Sequence, residues 1–282
     1  MIKRLFSATL AAFFTVNVQA AFTFTPKESN KVGLYLGGQI WQSEASGVFG
    51  EKGTLIDFNL KKEQQTNYFI AVVHPFPLLP NVRISSTILD TTGKTNLTQE
   101  FSFGGESFSI DDDINASFNV NYTDYTLYYE LFHNDLFSFE LGLTARDFNG
   151  DVTITGSTII VDNEDDCPET PQGSVCPSPA GTYTPTGKIK TDEIEPMLYV
   201  ATNISLPLAG LSIFAQGDYV LINDHSLYDY QVALSYGLVD SRMVKLNLTL
   251  GYRAVKIEFE DFDNLYTNLE FKGAFVGMIA HF

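Results

Sequence analysis

The chain has 282 residues, with 34 acidic and 17 basic side chains and a formal net charge of −17. A surface this negative repels phosphates, which argues against a nucleic-acid partner. Mean hydropathy is near zero, and after the first twenty residues no apolar run approaches the roughly 20 residues that a spanning helix needs. A transmembrane β-barrel gives the same average, because lipid-facing apolar positions alternate with polar lumen-facing ones. The 23 Phe and 14 Tyr would supply its interfacial girdles.

Met1 to Ala20 has the pattern of a secretory signal peptide. Lys3 and Arg4 form a positive start, Leu5 to Val18 an apolar run, and Val18-Gln19-Ala20 a small-residue cleavage site. No Cys follows the apolar run, which argues against a lipid anchor. Residues 21–30 read as a short periplasmic leader, and 31–282 as the barrel.

Strand one is expected over 31–42, with Val32, Leu34, Leu36 and Ile40 on one face and Gly33, Tyr35, Gly37, Gln39 and Trp41 on the other. Residues 43–65 read as a long loop. Strand two spans 66–74 and ends at Pro75-Phe76-Pro77, which cannot continue a ladder. Strand three spans 82–91. A second long loop, 92–116, carries Gly104-Gly105 between two alternating runs and so has the makings of its own hairpin.

Strand four, 117–132, and strand five, 136–147, meet at the turn His133-Asn134-Asp135. Strand five alternates most clearly. Phe137, Phe139, Leu141 and Leu143 face one way, and Ser138, Glu140, Thr144 and Arg146 the other. Its polar face is too polar for a sandwich core. Residues 148–190 form the third and longest loop, which holds both cysteines. Cys167 and Cys176 are close in sequence in an exported chain, which predicts a disulfide. Strands six to nine follow at 191–204, 211–222, 227–238 and 243–257, and strand ten closes the chain. Long and short connections largely alternate, as outer loops and periplasmic turns do in such barrels. The expected fold is all-β, a transmembrane antiparallel up-and-down β-barrel of about ten strands. Eight or twelve remain open, depending on the segment near Gly104.

The chain stops on an aromatic carboxylate at Phe282. With Gly277 and Ala280, this ending resembles the C-terminal insertion signal of outer-membrane barrels, although Ala280 stands where a larger apolar residue is usual. Together with the signal peptide and the strand Val32-Gly33-Leu34-Tyr35-Leu36-Gly37-Gly38-Gln39-Ile40-Trp41, it resembles a poorly characterised family of gammaproteobacterial outer-membrane β-barrel proteins. The resemblance implies a fold and an outer-membrane location, with lipid, lipopolysaccharide and the barrel-assembly machinery as partners. It implies no activity.

Candidate lumen charges are Arg83, Glu130, Glu140, Arg146, Glu195, Asp229, Lys245 and Arg253. In a narrow lumen they either pair to plug it or form a selective constriction. No catalytic motif emerges. His74, His133 and His281 fall at periplasmic strand ends or turns. Only His225 lies on the outer side, and adjacent residues such as Asp224-His225-Ser226 cannot form a relay among themselves. The acidic runs lack calcium-loop spacing, and the cysteines lack metal-binding companions, so no cofactor or metal is expected. The expected function is non-enzymatic: a narrow small-solute pore, or a closed barrel presenting loops. The alternatives are an adhesin or receptor acting through 43–65, 92–116 and 148–190 and, with less support, a hydrolase.

Overall fold

A computed structural model describes residues 32–51, 53–161, 169–170, 173–174, 181–207, 210–220, 226–241, 243–262 and 265–282. The signal peptide, the leader, Asp224, His225, Cys167 and Cys176 lie outside the described residues.

Ten strands form one antiparallel barrel. They are β1 (Gly33–Glu51), β2 (Lys62–Val73), β3 (Asn81–Ile88, resumed at Asp90–Asn96), β4 (Asp113–His133) and β5 (Phe137–Thr155). The rest are β6 (Thr186–Ser205), β7 (Leu211–Val220), β8 (Ser226–Asp240), β9 (Lys245–Phe262) and β10 (Leu265–His281). Each pairs with the next, and β10 returns to β1 in a register running from Tyr35 opposite His281 to Gly50 opposite Tyr266. Closure leaves no open edge in the region that lipid would cover. Phe282 completes the seam, donating its N–H to the Leu34 carbonyl at 2.9 Å and accepting the Leu34 N–H at 3.3 Å. Both described chain ends therefore lie at one rim, the terminal end. The other is the distal end.

The strands are longer than sequence patterning suggests. β1 and β5 have 19 residues, β6 has 20 and β4 has 21, whereas about 9–11 tilted residues cross a bilayer. The three stretches read as loops are in good part strand. β1 runs on to Glu51 and pairs there with Thr54–Asp57. β3 resumes along β4 at Asp90. β5 and β6 stay paired out to Thr155 and Thr186. Gly104 and Gly105, with φ of 59° and 83°, turn a hairpin between Phe101–Phe103 and Glu106–Phe108.

The reason lies in the two halves of each strand. On β4 the inward residues near the terminal end are Asp124, Thr126, Tyr128 and Glu130, with Tyr125, Leu127, Tyr129 and Leu131 outward. Further along the same inward parity come Tyr122, Val120, Phe118, Ala116 and Ile114, with Asn121, Asn119, Ser117 and Asn115 outward. The faces keep their direction, but their chemistry reverses between Tyr122 and Asp124. β5 reverses in the same way, from inward Thr144 and Arg146 to inward Phe148, Val152 and Ile154. The terminal half is inside out, as a bilayer requires. The distal half has an ordinary apolar interior and a polar exterior.

That interior is a continuous aromatic core. Phe49 stacks on Phe58 at 4.5 Å between ring centroids and meets Phe118 at 5.9 Å; Phe118 meets Phe271 at 5.9 Å. The hairpin adds Phe101, Phe103 and Phe108, all buried. On the rim above, Asp113 is held below the usual carboxylate range by its hydrogen bond from Asn96 and by Lys94.

Gly47 sits on the closing seam at a φ of +124°, where an added Cβ would run into the Asn268 carbonyl. Gly47→Ala should cost about 1–3 kcal/mol in backbone strain alone. The expected result is a smaller fraction of refolded protein in the heat-modifiable, closed form on unboiled gels.

Candidate functional site

Three zones stack along the lumen: the distal aromatic core, a belt of buried charges, and an open vestibule at the terminal end.

The belt centres on Asp229 of β8. Its Oδ2 accepts from Arg253 Nη2 at 2.6 Å, from Tyr122 Oη at 2.7 Å and from Arg146 Nη2 at 3.0 Å; its Oδ1 accepts from Arg253 Nε at 2.9 Å. Arg146 also forks onto Asp124, donating from Nε at 2.7 Å and from Nη2 at 2.9 Å. Its guanidinium lies 3.8 Å from the Tyr122 ring centroid, a contact worth up to about 2 kcal/mol where water is excluded. Arg253 reaches Thr87 Oγ1 at 3.2 Å. Thr144 donates to Asp218 at 2.7 Å and shares a hydrogen bond of 2.9 Å with Thr126. Glu195 is buried directly across from Arg146. Arg146 is 1% exposed, and Asp124, Asp218, Asp229 and Arg253 are each at or below 5%.

Of the eight lumen charges named from sequence, Arg146, Glu195, Asp229 and Arg253 fall in or beside this belt. Arg83, Glu130 and Glu140 line the vestibule. Lys245 also lines the vestibule, but at the terminal rim, bridged to Asp240 at 3.5 Å with more than half of its side chain exposed. Its inward parity is set by the strand, but its position is at the very start of β9. Asp124, Asp218, Tyr122 and Thr144 are belt members absent from that list. Asp124 and Thr144 share the inward parity of Glu130 and Glu140, and that parity was the available signal. His133, His281 and His74 all lie at the terminal end. His133 Nδ1 is 2.6 Å from Glu130, His281 stacks on Tyr35 at 4.1 Å, and His74 Nε2 is 3.0 Å from the Pro80 carbonyl. Among the described residues no group of three His, Cys, Asp or Glu side chains is placed to hold a metal ion.

The vestibule has a volume of about 620 Å³ and opens at the terminal rim between the chain ends. Its walls carry Tyr35, Tyr128 and Tyr199, with Glu140 accepting the Tyr199 hydroxyl at 2.9 Å. At its inner end Arg83 lies over Phe69 at 3.5 Å. Beyond it a recess of about 40 Å³ is walled by Gln39, Asn67, Gln216, Gln231 and Thr249. The belt and the aromatic core lie past that recess.

No known family model matches the chain, and no curated protein sequence does. Solved structures of similar shape include the outer membrane protease OmpT from Escherichia coli, at 11% identity and a TM-score of 0.43, covering 93% of this chain and 99% of that one. The transport unit of the autotransporter AIDA-I from Escherichia coli aligns at 9% identity and a TM-score of 0.34 over 97% and 95% of the two chains. A Pseudomonas aeruginosa FadL homologue aligns at 10% and 0.30 over 90% of each. The strand pairing itself gives the fold, a closed antiparallel β-barrel of ten strands. These likenesses are too distant to transfer a protease's or a transporter's chemistry to this barrel.

The belt predicts its own mutational signature. Arg146→Met leaves Asp124 buried without its partner and should cost about 3–5 kcal/mol, read as a lower urea midpoint for loss of the heat-modifiable form. Adding Asp124→Leu removes the orphaned charge and should recover most of that loss.

Proposed function

We propose that this protein is a non-enzymatic, closed outer-membrane β-barrel that holds its distal half outside the cell as a rigid platform. The observation that carries the reading is the double blockage of the lumen. The Asp229 belt joins β4, β5, β8 and β9 across the bore, and the core around Phe49, Phe118 and Phe271 fills the barrel beyond it. A hydrated solute has no path past side chains this buried, which favours a closed barrel over a pore. Charges satisfied on several sides are held as structure, not poised for exchange with ions.

In this reading the terminal end faces the periplasm, the usual side for the chain ends and short turns of such barrels. The apolar exterior from Tyr125 to Leu131 on β4 and from Tyr252 to Leu246 on β9 meets lipid. The polar exterior beyond meets lipopolysaccharide and water. Recognition of a surface partner then falls to the distal half, whose sheet extensions give a more rigid surface than loops would. The barrel-assembly machinery would insert the chain, with Gly277, Ala280 and Phe282 in the closing strand as its signal.

Planar-bilayer recording of the refolded, heat-modifiable barrel should show no unitary conductance. Discrete steps would refute the closed lumen. Orientation is tested separately, with Cys167 and Cys176 replaced by Ser. A cysteine at Ser117, on the distal exterior, should react with a membrane-impermeant maleimide in intact cells. One at Leu78, 88% exposed in the terminal-end turn, should react only after lysis. The reverse pattern would invert the assignment.

A further inference from the structure

The vestibule is more than the space left beneath the belt, because Arg83 and the Gln39 amide stand at its inner end and Glu130 and Glu140 nearer its mouth. At the inner end two buried donors have no acceptor within the protein, Arg83 Nε and the Gln39 amide nitrogen, beside one unpartnered acceptor, Gln231 Oε1. Both donor residues line the recess, and Arg83 also lines the vestibule. Arg83 has no salt bridge among the described residues; its guanidinium lies 3.5 Å from the Phe69 ring centroid, and its charge is felt by Glu140 further up the wall. Nearer the mouth two carboxylates face the cavity, with Lys245 among the lining residues at the rim. Glu130 and Glu140 stand directly opposite each other on β4 and β5, facing the same cavity. Like charges in that cross-strand position repel. His133 approaches Glu130 from the rim, and Tyr199 donates to Glu140, but neither stands between the two carboxylates as a fixed cation.

We infer that the vestibule binds a short peptide, carboxylate first. The C-terminal carboxylate would take the donors of Arg83 and Gln39, and the ammonium group would lie at Glu130 and Glu140. The spacing fits. The backbone of Arg83 is level with Thr126 on β4, and that of Glu130 is four residues further along, about 13 Å at strand rise, with the side chains reaching into that interval. An extended tripeptide spans roughly 10 Å, and the side chains at both ends cover the remainder. The volume lies within the ordinary range for small-ligand sites, about 300–1,000 Å³. The tyrosines of the wall offer apolar faces with polar edges along the ligand's length. This inference is independent of the closed-platform reading, since it concerns only the open end.

The test is calorimetric titration of the refolded full-length barrel in detergent with trialanine, trialanine amide, N-acetyl-trialanine and sodium acetate. Trialanine should bind, and capping either end should weaken binding roughly tenfold or more. Arg83→Gln should make trialanine and its amide equivalent. Glu130→Gln with Glu140→Gln should make trialanine and its N-acetyl form equivalent. Heat-modifiable mobility reports that each variant is folded, and Arg83→Lys, which keeps the charge, should retain part of the affinity. The inference fails if trialanine gives no saturable heat at millimolar concentration, or if acetate binds as tightly as the peptide. It also fails if either capped peptide binds like the free one. Conductance through the barrel would refute the closed-lumen reading while leaving this site untouched.

Discussion

The structure depends on one carboxylate. Asp229 gathers Arg146, Arg253 and Tyr122, from three other strands, onto two oxygens in a place from which water is excluded. An isolated ion there would cost several kcal/mol to bury, and a partly satisfied cluster would be worse than an apolar filling. Near-complete pairing makes the arrangement tolerable. Arg146 also donates to Asp124 and lays its face on Tyr122, so removing Arg146 takes the salt-bridge partner from Asp124 and removing Asp229 takes it from Arg253. The result fixes the relative positions of strands on opposite sides of the bore, which neighbouring ladder hydrogen bonds alone do not do.

The belt stands at the level where the barrel changes solvent. Toward the chain termini, the exterior is apolar and the interior polar; toward the distal end, both reverse on the same strands without any change of parity. A bilayer imposes the first pattern, because lipid takes apolar side chains and the lumen takes the rest. Beyond the bilayer the exterior meets water, so the hydrophobic effect again favours an apolar inside. Arg146 and Phe148 are two residues apart on one face of β5, yet belong to these two regimes. The charged belt therefore also caps the aromatic core, separating Phe148 and Phe118 from the hydrated vestibule.

This reversal explains what the sequence disclosed and what it hid. Leu141 and Leu143 alternating with Glu140 and Thr144 announce a lipid-facing strand, and the closing strand to Phe282 announces a barrel. The ten strands and their up-and-down order follow from those patterns and their turns. Val152 and Ile154 also alternate, with Asp151 and Thr153, but now the apolar residues point inward. A search for lipid-facing apolar faces passes over them, which is why 43–65, 92–116 and 148–190 read as loops. The belt was half legible. Arg146, Asp229 and Arg253 are visible as charges on inward parity, but their convergence depends on strand tilt and stagger, which no single strand encodes. Lys245 shows the converse, with correct parity at a depth that only the register reveals.

Unpartnered buried groups occur in both lumen zones, and they do not mean the same thing. Arg253 Nη1 and Trp41 Nε1 lack hydrogen-bond partners within a packed belt, where the guanidinium lies 5.4 Å from the indole ring and its other nitrogens are fully engaged. The cost is carried by the rest of the network. Arg83 Nε and the Gln39 amide have no such network and open onto cavities. An apolar side chain at either position would remove the need for a partner without disturbing the belt. A barrel selected for stability alone would have filled this end as it filled the other. That it keeps donors deep and carboxylates shallow in a cavity of ligand size argues for a molecule with the opposite order of charge.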